Sequence, residues 1–173
     1  MRKQKGFSLI ELLIVVAIIL IIAAIAIPNL LRARIAANES SAVSSIRTMN
    51  TSEVTYQSTF PTIGYTSTIT ALGPSAATGC TTPSSTNACL LDWVLAQATA
   101  AGSPKSGYYF QINNPGQLNG MNVGYTFDGA PASINQTGVR GFCSNEDAVI
   151  RYTALGTTVV TTESGCAGFT ALQ

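Results

Sequence analysis

The sequence predicts an α+β fold: a long N-terminal helix, membrane-spanning in its first half, with an antiparallel β-sheet packed on its second half. Three observations predict it. No charged residue occurs from Leu12 to Leu31, and a helix of that length is roughly 30 Å long, about a bilayer's hydrocarbon core. Apolar residues then continue at helical spacing as far as Phe60. Beyond residue 107, short alternating runs are separated by Asn, Gly and Asp turns, as strands are. A length of 173 residues suits one globular domain plus the N-terminal segment.

The chain opens on a basic leader, Arg2, Lys3 and Lys5, that ends at Gly6; Phe7, Ser8, Leu9 and Ile10 follow, and then one acid, Glu11. Backbone polar groups must be satisfied inside lipid, so the apolar run is predicted as a helix. Glu11 at its start would cost up to about 3 kcal/mol if carried to mid-bilayer. On one reading it stays among the headgroups, where the helix dipole favours a negative charge. On the other it pairs with a cation at its own depth. A cut after Gly6 would supply one, the new amine of Phe7. That amine lies one turn away on its own chain and can also meet Glu11 of a neighbour. An ordinary secretory signal would instead be cut after Ala24-Ile25-Ala26, giving a chain that starts at Ile27. Glu11 between the basic and apolar regions, and the helical pattern beyond Pro28, argue against it.

After Pro28, the residues Ile35, Ala42, Ile46, Met49, Tyr56 and Phe60 fall on one face. Arg32, Arg34, Glu39, Arg47 and Glu53 are placed largely elsewhere. The stripe reads as core packing, so one helix from about Phe7 to Ser58 serves both membrane and domain. Pro61 and Gly64 stop it. The basic leader puts the C-terminal domain outside the cytoplasm. Arg32 and Arg34 then flank the far side of the membrane, against the same positive-inside rule.

Tyr65 to Ala88 is rich in Thr, Ser, Ala, Gly and Pro and reads as a surface loop. Asn87 is expected to cap a helix from about Ala88 to Ala101, ended by Gly102 and Pro104. Leu91, Val94, Leu95 and Ala98 would be its buried face, with Trp93 at the edge. Strands are expected at Tyr108–Ile112, before an Asn113-Asn114-Pro115-Gly116 turn, and at Val123–Phe127, ended by Asp128-Gly129. Val139–Ser144, Ala148–Ala154 and Thr157–Thr162 are further candidates.

The stretch KGFSLIELLIVVAIILIIAAIAIP resembles the class III signal and N-terminal helix of type IV pilins and pseudopilins. The resemblance covers Lys5 to about Leu31. It implies that a prepilin peptidase cuts after Gly6 and that Phe7 becomes the methylated N-terminus. It makes Glu11 the assembly glutamate and Pro28 the helix-kinking proline. The family's mid-helix glycine is replaced here by Ile19 and Leu20. The resemblance also implies the pilin fold. It divides the chain into a cleaved leader (1–6), a transmembrane and assembly helix (7–31) and the amphipathic half of that helix (32–60). A variable loop with a short helix (61–106) and a sheet with a C-terminal disulfide loop (107–173) complete it. Implied partners are further copies of the chain, the prepilin peptidase, the pilus assembly machinery and, before assembly, the cytoplasmic (inner) membrane. The implied locations are that membrane, as a single-pass precursor, and then an extracellular fibre.

Four cysteines permit three pairings, and an even count in an exported domain reads as disulfides. The pairing Cys143–Cys166 closes a C-terminal loop, as many pilins do. Its complement, Cys80–Cys89, would tie the Ser/Thr-rich loop to the short helix.

Composition bounds the function. Charged residues are 10% and the net charge is +1; without the three leader cations, six basic side chains face eight acids. No basic patch remains, so nucleic-acid binding by the domain is not expected. The chain has no His, which removes the commonest general base. It has no C-x-x-C pair and no Gly-rich phosphate loop, so no cofactor is expected and an exported membrane-anchored enzyme is disfavoured. Asp128, Glu146, Asp147 and Glu163 are weak calcium candidates, lacking a D-x-D-x-D-G loop; a solvated acidic face is the commoner explanation. Asn38, Asn50 and Asn135 begin glycosylation triplets, which arise often by chance. With aromatics at 8%, a conducting stack along the helix is not expected. The expected role is a structural pilus subunit, with a major-type pseudopilin of type II secretion as the alternative. Adhesion and motility both suit a pilus.

Overall fold

The computed structural model describes residues 7–114, 116–156 and 163–172. The expected strand Thr157–Thr162, together with Gly6, Pro115 and the Glu163 side chain, lies outside the described residues. The chain divides into two compact units, Met1–Arg34 and Ile35–Gln173. Helix α1 runs from Leu9 to Thr59 and contributes to both.

In the first unit, α1 is exposed nearly throughout. None of its most apolar stretch is buried. Pro28 lies inside the helix. A proline has no N–H, so the carbonyl four residues earlier, on Ala24, loses its helical donor.

In the second unit, α1 buries Ala42, Ile46, Met49 and Tyr56, while Ile35 and Phe60 are half-covered. Glu39 and Glu53 are buried as well, at 6% and 0% exposure, which corrects the expectation that they lie off the stripe. Their spacing shows why. Positions 35, 39, 42, 46, 49, 53, 56 and 60 advance by alternating fours and threes, an unbroken helical face. Both acids belong to it, and partners within the domain make their burial tolerable.

The sheet is antiparallel throughout, in the order β1-β4-β5-β6-β7. Its strands are β1 (Tyr108–Asn113), β4 (Thr126–Pro131), β5 (Gly141–Asn145), β6 (Arg151–Thr153) and β7 (Thr170–Ala171). A small hairpin, β2 (Gln117–Leu118) and β3 (Met121–Asn122), stands apart. The Asn119-Gly120 turn joins it, with φ of 53° and 82°. That dipeptide is a strong hairpin signal, though no strand was expected there. Tyr108, Phe110, Phe127 and Phe142 from the sheet meet Ile46 and Met49 of α1 in one core.

Several expected boundaries move. The strand expected to end at Asp128-Gly129 instead starts at Thr126 and runs on to Pro131. Gly129 is a close approach and not a turn: a Cβ there would lie 3.1 Å from Phe110 Cδ1 and 3.4 Å from Ile46 Cδ1. The strand expected from Ala148 begins only at Arg151, because Ala148 takes a φ of 57° in a turn.

The stretch 65–88 is not wholly a surface loop. A 3-10 turn, Ile69–Leu72, buries Ile69 and Leu72 completely in the core. The helix expected from Ala88 shrinks to α2, Trp93–Ala96, and its cap is Asp92, not Asn87. The Asp92 carboxylate accepts from Leu95 N–H at 2.9 Å. Ala88 and Leu90 instead donate their N–H groups to Ala71 and Leu72, both at 2.7 Å, and Cys89 sits at a φ of 61°. No helix can pass through such a residue. Leu91, Leu95 and Ala98 are buried, but Val94 faces solvent at 57% exposure.

Cysteines 80 and 89 are joined, as are 143 and 166. The first bond pins the Ser/Thr-rich stretch beside the 3-10 turn. The second ties β5 to helix α3, Glu163–Ala167.

Candidate assembly segment

The segment begins on a helix cap. Ser8 is the last residue before α1, and Glu11 is the third residue inside it. The Ser8 backbone N–H donates to Glu11 Oε2 at 3.0 Å. This is the reach-back half of a capping box, S-x-x-E, in which the acid satisfies a donor that the helix leaves orphaned. The carboxylate also sits against the positive end of the helix dipole. The four residues Ser8-Leu9-Ile10-Glu11 carry this signal in the sequence, beside the dipole and ion-pair readings of Glu11 given above.

Phe7 is 77% exposed at the head of this turn. From Leu9 to Leu31, each Leu, Ile and Val is exposed too. At 25 cal/mol per Å2, so much uncovered apolar surface is tolerable only in lipid or against another apolar surface.

The domain half of α1 is tied down by polar bonds as well as by its core face. Glu39 Oε1 accepts from the N–H groups of Val139 and Arg140 at 3.1 and 3.0 Å. Its Oε2 accepts from Arg140 Nε at 2.8 Å and lies 2.7 Å from Arg140 Nη2. Burial pushes this carboxyl up, but the Arg140 and Val139 donors outweigh it and hold it below the usual carboxylate range. The Arg140 guanidinium also lies 5.5 Å over Phe142 and 5.4 Å over Tyr152. Nearby, Asn38 donates to the Thr137 carbonyl at 2.8 Å. Further along, Asn50 donates to Ser144 Oγ at 2.9 Å and Tyr56 to the Ser85 carbonyl at 2.7 Å.

Glu53 is different. Its carboxyl accepts from Thr66 N–H at 3.0 Å and from the Thr66 hydroxyl. Burial pushes it up to about 7, against the pull of those two bonds. No ion pair reaches it among the described residues.

The calcium candidates do not gather. Asp128 is buried on β4, whereas Glu146 and Asp147 are exposed. Asp147 is engaged by Arg151 Nη2 at 2.6 Å. Among the described residues no three acids, cysteines or histidines cluster. The three glycosylation triplets also separate: Asn50 is buried in α1, Asn38 is half-covered, and Asn135 is exposed in a turn.

Residues 1–27 match the family described as the prokaryotic N-terminal methylation motif. A stretch of 39 residues is 69% identical to the Type IV wide pilus major component PilA4 of Thermus thermophilus. In its N-terminal segment, this chain is similar to the type IV pilins. The match covers 22% of the chain and 30% of that relative, so the chain spans under a third of the curated relative's length. The pilin-family likeness is thus one of the apolar helix and its leader. No solved structure matches the chain.

Proposed function

We propose that the protein is a structural subunit of a type IV pilus. On this reading a prepilin peptidase cuts after Gly6, and the mature chain begins at a methylated Phe7. The precursor is a single-pass protein of the cytoplasmic membrane with its domain outside the cytoplasm. The pilus assembly machinery then draws the apolar helix out of lipid and into a bundle of like helices. The observation that carries the reading is the apolar helix itself: exposed along its length, opened by a capped acid and preceded by a leader of the methylation family. The likeness to a wide-pilus major component favours a pilus over a secretion piston. The buried acids Glu39 and Glu53 are committed to structural bonds, which suits a subunit better than an enzyme.

The test is Glu11→Ala. In the fibre Glu11 would be surrounded by apolar helices, where an unpaired charge is strongly destabilising, and the Phe7 amine of a neighbour would answer it. The substitution keeps the apolar run, so insertion and leader removal should survive while fibres fail. Cells expressing the variant are fractionated, and membrane subunit is compared with sheared fibre by electron microscopy. Normal fibre yield would reduce Glu11 to a helix cap.

A further inference from the structure

The apolar segment ends on two charges that the described residues do not answer. Arg32 and Arg34 are both exposed, and among the described residues neither makes an ion pair or a side-chain hydrogen bond. The next acid along α1, Glu39, is already held by Arg140.

Their position is specific. Glu11 and Arg32 are twenty-one positions apart, about 31 Å along a helix, against a hydrocarbon core of about 30 Å. When the run spans a bilayer with Glu11 at one headgroup layer, Arg32 reaches the other. Arg34 lies about 3 Å further out and some 200° round the helix. The two guanidiniums therefore point to opposite sides and form a collar, not a one-sided patch. A guanidinium is a planar fork of donors that fits phosphate oxygens bidentately and is more weakly hydrated than an ammonium. At that depth the abundant partners of matching charge are lipid phosphates.

We propose that Arg32 and Arg34 form a phospholipid-binding collar that grips headgroup phosphates in the leaflet on the domain's side. The proposal rests on the membrane-spanning reading above. It explains two side chains that oppose the usual placement of positive charge. Once the leader is removed, Arg2, Lys3 and Lys5 are gone, and the collar carries the side-chain cations flanking the span. It then fixes the depth of the waiting subunit and gathers anionic lipid round it. These contacts must be released when the helix leaves the membrane.

The experiment uses the full mature chain, starting at Phe7, reconstituted in phosphatidylcholine vesicles. Protease protection first establishes that it spans. Spin-labelled phosphatidylglycerol and phosphatidylcholine then report which lipid gathers at the protein boundary. A basic residue at an anionic surface raises binding roughly fivefold. The wild-type chain should therefore prefer phosphatidylglycerol, and R32Q/R34Q should lose at least about threefold of that preference. R47Q, about 20 Å further along the helix, should keep it. A spanning wild-type chain with no preference, or a double variant that retains it, overturns the collar. A chain that fails to span overturns the membrane reading, and the collar with it.

Discussion

Replacing Glu53 by Gln should make the domain more stable at neutral pH and flatten its response to pH. Glu53 is fully buried, and its two partners both come from Thr66. Burial raises its carboxyl from 4.5 to about 7. Because the folded value lies above the unfolded one, the native state binds the extra proton between those pH values. This group's contribution is therefore most favourable below about 4.5 and is lost as pH rises through about 7. The span of about 2.5 units corresponds to roughly 3 kcal/mol at 1.36 kcal/mol per unit. Gln keeps an oxygen for the Thr66 N–H and an amide for the Thr66 hydroxyl, but never ionises. The variant should gain roughly 10 °C in Tm over the wild type at pH 8 and nothing at pH 4.5. Thermal unfolding of the full chain in detergent, followed by near-ultraviolet circular dichroism of Trp93, reads both. Parallel pH profiles for the two proteins would refute the idea that Glu53 pays an ionisation cost in the fold.

Glu39→Gln should act in the opposite sense: its carboxyl is held low, so its contribution is present above 4.5 and fades as pH falls through the folded value. About 2 kcal/mol should be lost at pH 7, and the gap from wild type should close in acid, as urea midpoints would show. Gly64→Ala should cost about 2 to 3 kcal/mol, since φ is +81° and a Cβ would lie 2.1 Å from the Asn122 carbonyl oxygen; an unchanged urea midpoint would contradict this. Cys143→Ser should leave one titratable thiol, Cys166, and lower stability by roughly 3 kcal/mol for the opened loop. Thiol titration in denaturant together with the urea midpoint checks both parts.

The long helix was legible because its two signals are strong: an uncharged run of membrane length, then a repeating apolar face. The same face holds Glu39 and Glu53, although a charged side chain in such a helix reads as lying off the buried stripe. Their partners, Arg140 and Thr66, lie 101 and 13 residues away and cannot be read from local pattern. The short helix was overextended because Ala88 to Ala101 is apolar at helical spacing, while the backbone of 88–90 is spent on the 3-10 turn. Asp128-Gly129 reads in sequence as the end of a strand, although the missing side chain of Gly129 serves the contact between sheet and helix. At the N-terminus, the capping box was written in four consecutive residues and needed only the i,i+3 rule.

The three acids of α1 differ in what completes them, and the difference bears on assembly. A carboxylate has roughly four acceptor positions. Glu39 fills its positions with two backbone N–H groups and a guanidinium, and Glu53, its carboxyl raised by burial, is held by Thr66. Both are finished inside one chain. Among the described residues Glu11 receives a single bond, from the N–H one turn before it. That bond and the helix dipole lower the cost of holding the acid near the headgroups, so a subunit can wait in the membrane. They leave Oε1 with acceptor capacity that the following run, without a polar side chain until Asn29 some five turns on, has no side chain within reach to fill. In the proposed fibre that capacity is open to a donor at the start of a helix, the chain's own or a neighbour's. A free amine at Phe7 is the group of matching charge and depth, and it can dock without displacing the Ser8 cap. On the proposed reading, the cap would let Glu11 serve the lone subunit and the assembled one in turn, the second state adding a donor to the first.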